Sequence, residues 1–157
     1  MPLQQEDYFV RMIGELREFV TQAVGTRNPG KLDEALIAIV QAQEKLFGRP
    51  SSEFRFPDVN AQLAMLSQGE TTAGARTKWL AYADILEQAG AVYQARGQRE
   101  LAGSAFQLAL YVHLILADRT SSGAGEKASI AALVERVPPE ELHAPVLELL
   151  ERFNGWN

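Results

Sequence analysis

Residues 86–109 read LEQAGAVYQARGQRELAGSAFQLA, and this stretch decides the fold predicted for the chain. Straight-chain and small residues, which favour helix, lie on both sides of Gly97, and glycine is the residue that most readily ends a helix. The stretch therefore predicts two antiparallel helices joined at Gly97. Small residues stand where the two backbones would touch, and large residues would fill the space beside them (Ala89, Gly90 and Ala102; Tyr93 and Phe106).

The same helical pattern continues on both sides of this hairpin. Apolar residues recur every three or four positions from Asp7 to Val24, and a second such stretch begins near Lys31, ends at Gly48 and is expected to bury Val40. Asp58 is placed to cap a short helix, and Thr71 and Thr72 mark the start of the long helix that ends near Gly97. Two further amphipathic stretches follow the hairpin, and the last of them contains Val146 and Phe153. Earlier in the chain, the proline-containing segment 49–57 predicts a loop.

Composition agrees with a helical chain. The sequence contains 22 Ala and 19 Leu against 10 Val and 6 Ile, so helix formers outnumber the β-branched residues that favour strands. No change in composition divides the 157 residues into two parts. We expect one all-α domain over residues 1–157, with about six or seven helices stacked as antiparallel hairpins and essentially no strand.

The spacing of residues 86–109 resembles a tetratricopeptide repeat, with two departures: Leu86 stands where that family often has tryptophan, and Leu114 stands at its usual closing proline. A weaker match begins at Gly30, 67 residues before Gly97, or about two repeat lengths of 34. A generic helical bundle is the alternative. The resemblance implies a stack with a concave surface for a protein or peptide partner. By the family's spacing, four residues of the long helix would line that surface (Asp84, Glu87, Ala91 and Gln94).

A second resemblance lies at the N-terminus. Glu6-Asp7-Tyr8-Phe9-Val10-Arg11-Met12-Ile13 is similar to the opening of an uncharacterised family of small, all-helical bacterial proteins. This resemblance implies a helical fold and a bacterial source, and it implies no activity.

Several functional classes are disfavoured by composition. The chain has no cysteine and two histidines, which leaves no thiol chemistry and almost no basis for a metal site, and we expect neither a cofactor nor catalytic residues. Its net charge of −5 disfavours nucleic acid and anionic membranes. The N-terminus lacks a basic, apolar leader, and the longest apolar run, residues 108–117, is too short to span a membrane. The expected location is the cytoplasm.

Three functions remain open. The first is a protein-interaction module, and the second is a helical protein that binds a small ligand in a pocket around Trp79, Tyr82 and His113. An enzyme of unrecognised type is the third and the least supported. No carboxylate lies one helical turn from His113, so we expect it to be a core histidine. Self-association is a further expectation for a short array, with four aromatic residues as candidates for the contact (Tyr8, Phe54, Phe56 and Trp156). Ordinary packing is the alternative for each of them, and Phe54 and Phe56 are expected to pack down from their loop.

Overall fold

A computed structural model of the chain describes residues 2–54, 58–120 and 126–154. These ranges contain eight α-helices, one short 3-10 helix and no strand, so the all-α prediction is confirmed. The helices are α1 (Pro2–Thr26), α2 (Pro29–Phe47), α3 (Ser51–Phe54), α4 (Val59–Ser67), α5 (Thr72–Ala95), α6 (Arg99–Thr120), α7 (Lys127–Val134), the 3-10 helix (Pro139–Glu141) and α8 (Ala144–Asn154). The predicted count of six or seven was too low because α3 lies in a segment predicted as loop.

Side-chain and backbone caps fix where these helices begin and end. The side-chain oxygens of Asn28, Asp58 and Thr71 accept hydrogen bonds from the first turns of α2, α4 and α5. Each bond satisfies an amide that has no partner within its own helix. Gly48 follows α2 in the left-handed conformation with φ 67°, which suits glycine. These boundaries agree with those predicted at Asp58, Thr71 and Gly48.

Helix α5 lies at the centre of the packing, in contact with α1, α2, α4 and α6. It runs antiparallel to α2, because Arg96 at its end pairs with Asp33 at the start of α2, while Tyr82 near its middle contacts Phe47 at the end of α2. Helix α6 packs against α5 on one side and against α7 and α8 on the other. The two helices predicted from residues 86–109 therefore connect the two halves of the fold.

Helices α5 and α6 approach each other closely at Gly90, which lies against the ring of Phe106. A β-carbon built on Gly90 would lie 2.5, 2.7 and 2.8 Å from three carbons of that ring. Carbon atoms in contact are normally about 3.5–4.0 Å apart, so only glycine fits at this position. The small residue Gly90 and the large residue Phe106 therefore contact each other, as the spacing predicted.

Residues Arg99–Arg119 of α6 are long and apolar enough to cross a membrane by length and composition alone. However, 61% of the most apolar 18-residue stretch of this helix is buried inside the protein. Leu110, Val112 and Leu114 are almost completely enclosed. The central helix of a packed helical domain has the same properties.

One prediction about an individual side chain was wrong. Val40 was expected in the core, yet it is 40% exposed, because it lies one position outside the buried stripe of α2, which runs through Ile39 and Ala42. Phe54 was expected either to pack down onto the core or to lie at a surface for self-association, and it is buried, stacking on Phe47 with ring centres 4.2 Å apart. Tyr8 is exposed as that expectation requires, whereas Phe56 and Trp156 lie outside the described residues.

Candidate functional site

A groove of about 330 Å³ lies between α1 and α5, and we call it the α1/α5 groove. The first half of α1 forms one wall and the first half of α5 the other. Phe9 and Ile13 are buried beneath it, whereas Val10 is 66% exposed at its edge and Leu80 is half-buried opposite. Gly14 leaves the α1 wall open, because nothing lies within 4 Å of the place where its β-carbon would stand. Its full lining is Glu6, Phe9, Val10, Ile13, Gly14, Arg17, Thr77, Leu80, Ala81 and Asp84.

An ion pair ends this groove half-way along α5. The guanidinium of Arg17 donates to the carboxylate of Asp84 at 2.6 Å, and both side chains are partly exposed. Glu87, one helical turn further, is half-buried. Burial raises the pKa of Glu87, the nearby Asp84 carboxylate raises it too, and Arg136 and Arg17 oppose this shift. The middle of the α5 surface is therefore acidic and is flanked by arginines.

A second pocket, of about 530 Å³, lies beyond Glu87 where α1 and α5 end, and we call it the arginine pocket. Two arginines, one amide and small apolar residues line it, with no acidic side chain among them (Val24, Arg27, Ala91, Gln94, Ala95, Gly97 and Arg136). The guanidinium of Arg136 lies 4.9 Å from the centre of the Phe106 ring. Within the described ranges, neither Arg27 nor Arg136 has a carboxylate at ion-pair distance. The same holds for Arg11, Arg49, Arg99 and Arg119, whereas Arg17, Arg76, Arg96 and Arg152 are paired.

The four residues predicted to contact a partner fall on one face of α5. Asp84 lies in the α1/α5 groove, and Ala91 and Gln94 line the arginine pocket. Glu87 lies between the two, within electrostatic reach of Arg17 on one side and Arg136 on the other. The structure thus brings these four together with two features that the prediction did not contain, the exposed Val10 and the unpaired arginines.

Of the three residues predicted to form a ligand pocket, Trp79 and Tyr82 both bond to α4. The indole N–H of Trp79 donates to the Leu63 carbonyl oxygen at 3.1 Å and to the Ser67 hydroxyl at 2.9 Å. The hydroxyl of Tyr82 donates to the side-chain oxygen of Gln62, and burial raises the pKa of Tyr82 to about 12. Both polar groups are therefore used to attach α5 to α4.

His113 belongs to a different, buried cluster. Its side chain is 6% exposed, and its Nδ1 atom has no hydrogen-bond partner among the described residues. Burial lowers the pKa of His113, Asp84 and Glu126 raise it, and Arg76 lowers it. Glu126, at the start of α7, is itself buried and accepts a hydrogen bond from Arg76 of α5. The sequence showed no carboxylate one turn from His113, but the fold brings two carboxylates close to it from other helices.

A polar cleft of about 610 Å³ lies beside the first half of α6, and we call it the α6 cleft. The buried side chain of Gln107 stands beneath it, donating to the Glu141 carbonyl oxygen at 3.2 Å and accepting from the His143 backbone N–H at 2.6 Å. These bonds attach the segment after the 3-10 helix to α6. Across the described part of the chain, no three His, Asp or Glu side chains are placed to hold a metal ion.

Comparison of the chain with protein-family models, with curated proteins and with solved structures gave no match. The resemblances to tetratricopeptide repeats and to the small bacterial family therefore stay predictions.

Sequence reasoning missed part of this surface. Val10 had a usable signal, since it is an apolar residue outside the stripe formed by Phe9, Ile13 and Leu16 and should therefore point away from the core. No signal in the sequence pointed to Arg27 and Arg136. They lie 109 positions apart, and only the packing of α1 on α5, of α5 on α6 and of α6 on α7 brings them to one pocket.

Proposed function

We propose that this chain is a protein-interaction module that binds a peptide-length segment of a partner protein along the exposed face of α5. The observation that carries the proposal is the α1/α5 groove, whose lining is mainly apolar and includes Val10 on the α1 wall and Leu80 on the α5 wall. Single exposed apolar side chains are ordinary, but a groove lined by several of them can take up an apolar side chain of a partner. Burying one such side chain contributes about 1.5–3 kcal/mol.

The packing of the long helices supports a stacked arrangement of hairpins. Helix α5 contacts both α1 and α2 of the preceding pair as well as its own partner α6. In a tetratricopeptide-like array, the first helix of each hairpin also packs between the two helices of the hairpin before it. We include this arrangement in the proposal, with α3 and α4 as an insertion between the hairpins α1–α2 and α5–α6. The exposed faces of α1 and α5 would then form the concave surface.

Binding of a small ligand is the second candidate, and the α6 cleft is the place that favours it. That cleft has polar groups from Arg136, Glu141 and His143 and a volume suited to a small molecule. The pocket expected around Trp79 and Tyr82 has less support, because the polar atoms of both residues are already bonded to α4. An enzyme remains the least supported function.

A selection experiment tests the interaction proposal without a known partner. Random 16-residue peptides displayed on phage are selected on the wild-type chain alone, and the affinity of each recovered peptide is then measured for the Val10→Glu variant. Ile37→Glu is the matched control, because Ile37 is a helical aliphatic residue of similar exposure, 59% against 66% for Val10, and it lines none of the grooves described above. Circular dichroism and urea unfolding first establish that both variants are folded.

We expect enriched peptides that bind the wild-type chain and Ile37→Glu equally and bind Val10→Glu at least tenfold more weakly. The factor follows from the burial of one aliphatic anchor, since 1.4 kcal/mol corresponds to tenfold in affinity. Two results would overturn the proposal: no enrichment of any sequence, or enriched peptides that bind both variants with equal affinity.

A further inference from the structure

We infer that the partner segment is acidic at one end: it places an apolar side chain in the α1/α5 groove and one or more Asp or Glu side chains in the arginine pocket, about 20 Å away. This inference rests on the function proposed above. It adds the chemistry of the partner and the direction in which the partner lies on α5.

The unpaired arginines are the first argument. Six arginines of the described ranges have no carboxylate at ion-pair distance (Arg11, Arg27, Arg49, Arg99, Arg119 and Arg136). Among them, Arg27 and Arg136 share a pocket that no acidic residue lines, although the chain carries 20 acidic side chains. A carboxylate arriving from outside would meet two cations and the amide of Gln94, with no acidic residue lining the pocket.

The class of anion follows from the size of the cationic region. Binding of nucleic acid depends on many phosphate contacts, and two arginines on a chain of net charge −5 supply too few. One or two carboxylates of a peptide match two arginines, since each guanidinium can bind one carboxylate through two parallel hydrogen bonds.

The distance between the two subsites, the α1/α5 groove and the arginine pocket, follows from the geometry of α5. Leu80 in the groove and Gln94 in the arginine pocket are 14 positions apart on α5, which at 1.5 Å per residue is about 20 Å. An extended segment spans this distance with about six residues, at roughly 3.3 Å each, and a helical segment with about 14. Asp84 and Glu87 lie between the subsites and would repel acidic side chains placed there. The acidic residues should therefore be confined to one end of the segment.

The test uses a 16-residue peptide recovered in the selection described above. Its affinity is measured by isothermal titration calorimetry for the wild-type chain, for Arg27→Glu, and for Arg27→Glu combined with Arg136→Glu. The matched control is Arg49→Glu, which changes an exposed arginine just after α2 that lines neither the α1/α5 groove nor the arginine pocket. The single Arg27 variant keeps the test valid if loss of the Arg136 contact with Phe106 disturbs folding. A peptide with its acidic residues replaced by lysine is measured in parallel.

We expect the double variant to bind at least tenfold more weakly, Arg27→Glu several-fold more weakly, and Arg49→Glu within twofold of wild type. The lysine peptide should regain affinity for the double variant, which a purely structural role of the arginines would not produce. If Val10→Glu abolishes binding but the arginine variants do not weaken it, the inference fails and the proposed function stands. If neither change matters, both fail. Recovered peptides whose apolar and acidic residues are fewer than about six positions apart would also overturn the inference.

Discussion

Replacing Gly90 by alanine tests the contact on which the central hairpin depends. The new β-carbon would lie 2.5–2.8 Å from three ring carbons of Phe106, about 1 Å closer than carbon atoms normally pack. The ring is 2% exposed and cannot swing into solvent, so α5 and α6 must separate or the ring must leave its rotamer. Overpacking of this kind costs about 1–3 kcal/mol. Alanine also favours helix over glycine by about 1 kcal/mol, which offsets part of that cost.

Gly14→Ala provides the matched control. Gly14 also lies inside a helix, but its β-carbon would meet nothing within 4 Å, so the helix-forming gain should appear alone as a stabilisation of about 0.5–1 kcal/mol. The gain is common to both variants, so the difference between their free energies of unfolding isolates the overpacking, about 1–3 kcal/mol. Urea unfolding followed by circular dichroism measures it. A difference below about 0.5 kcal/mol would show that Gly90 and Phe106 are not in contact.

Three further predictions concern single contacts. Arg76→Ala leaves the Glu126 carboxylate buried without its partner and should lower the free energy of unfolding by about 3–5 kcal/mol. Glu126→Gln leaves an arginine that can reach water, so it should lower the free energy of unfolding less. Equal losses for the two variants in urea unfolding would contradict the buried pair. Burial holds the pKa of His113 below its ordinary 6.5, so below pH 6.5 the unfolded chain takes up a proton that the folded chain does not. Stability should then fall on acidification by up to about 1.4 kcal/mol per pH unit relative to His113→Gln, and parallel stability profiles of the two proteins between pH 7 and 5 would refute this. Asp58→Ala removes the oxygen that accepts from the Ala61 N–H at 2.8 Å and should cost about 0.5–2 kcal/mol, so an unchanged unfolding midpoint would exclude this cap.

Sequence patterns predicted the local structure of this chain well because local physics decides it. Asp58 and Thr71 cap helices through atoms three residues away, and Gly90 meets Phe106 across a short turn. Helix α3 was missed because four residues give too short a window for helical periodicity to appear. Val40 was misplaced because it lies next to the buried stripe of α2, where a rotation of one position exchanges core for solvent.

The candidate site was predictable only where it lies on a single helix. The four α5 residues expected at a partner surface share one face of the helix because of helix geometry alone, and their role in binding stays a prediction. The environment of His113 could not be predicted, because Glu126 and Asp84 reach it from other helices. The meeting of Arg27 and Arg136 in one pocket likewise depends on how α1, α5, α6 and α7 pack, which no local pattern encodes.

The most direct test of the central claim is to map where a selected peptide binds. The full chain is labelled with nitrogen-15 and titrated with a 16-residue peptide from the selection while amide chemical shifts are recorded. We predict that the largest shifts occur at the α1/α5 groove, at the amides of Val10, Gly14, Leu80 and Asp84. Largest shifts at the α6 cleft instead, around Gly103, Gln107 and Glu141, would contradict the claim that the face of α5 between α1 and α6 is the binding surface.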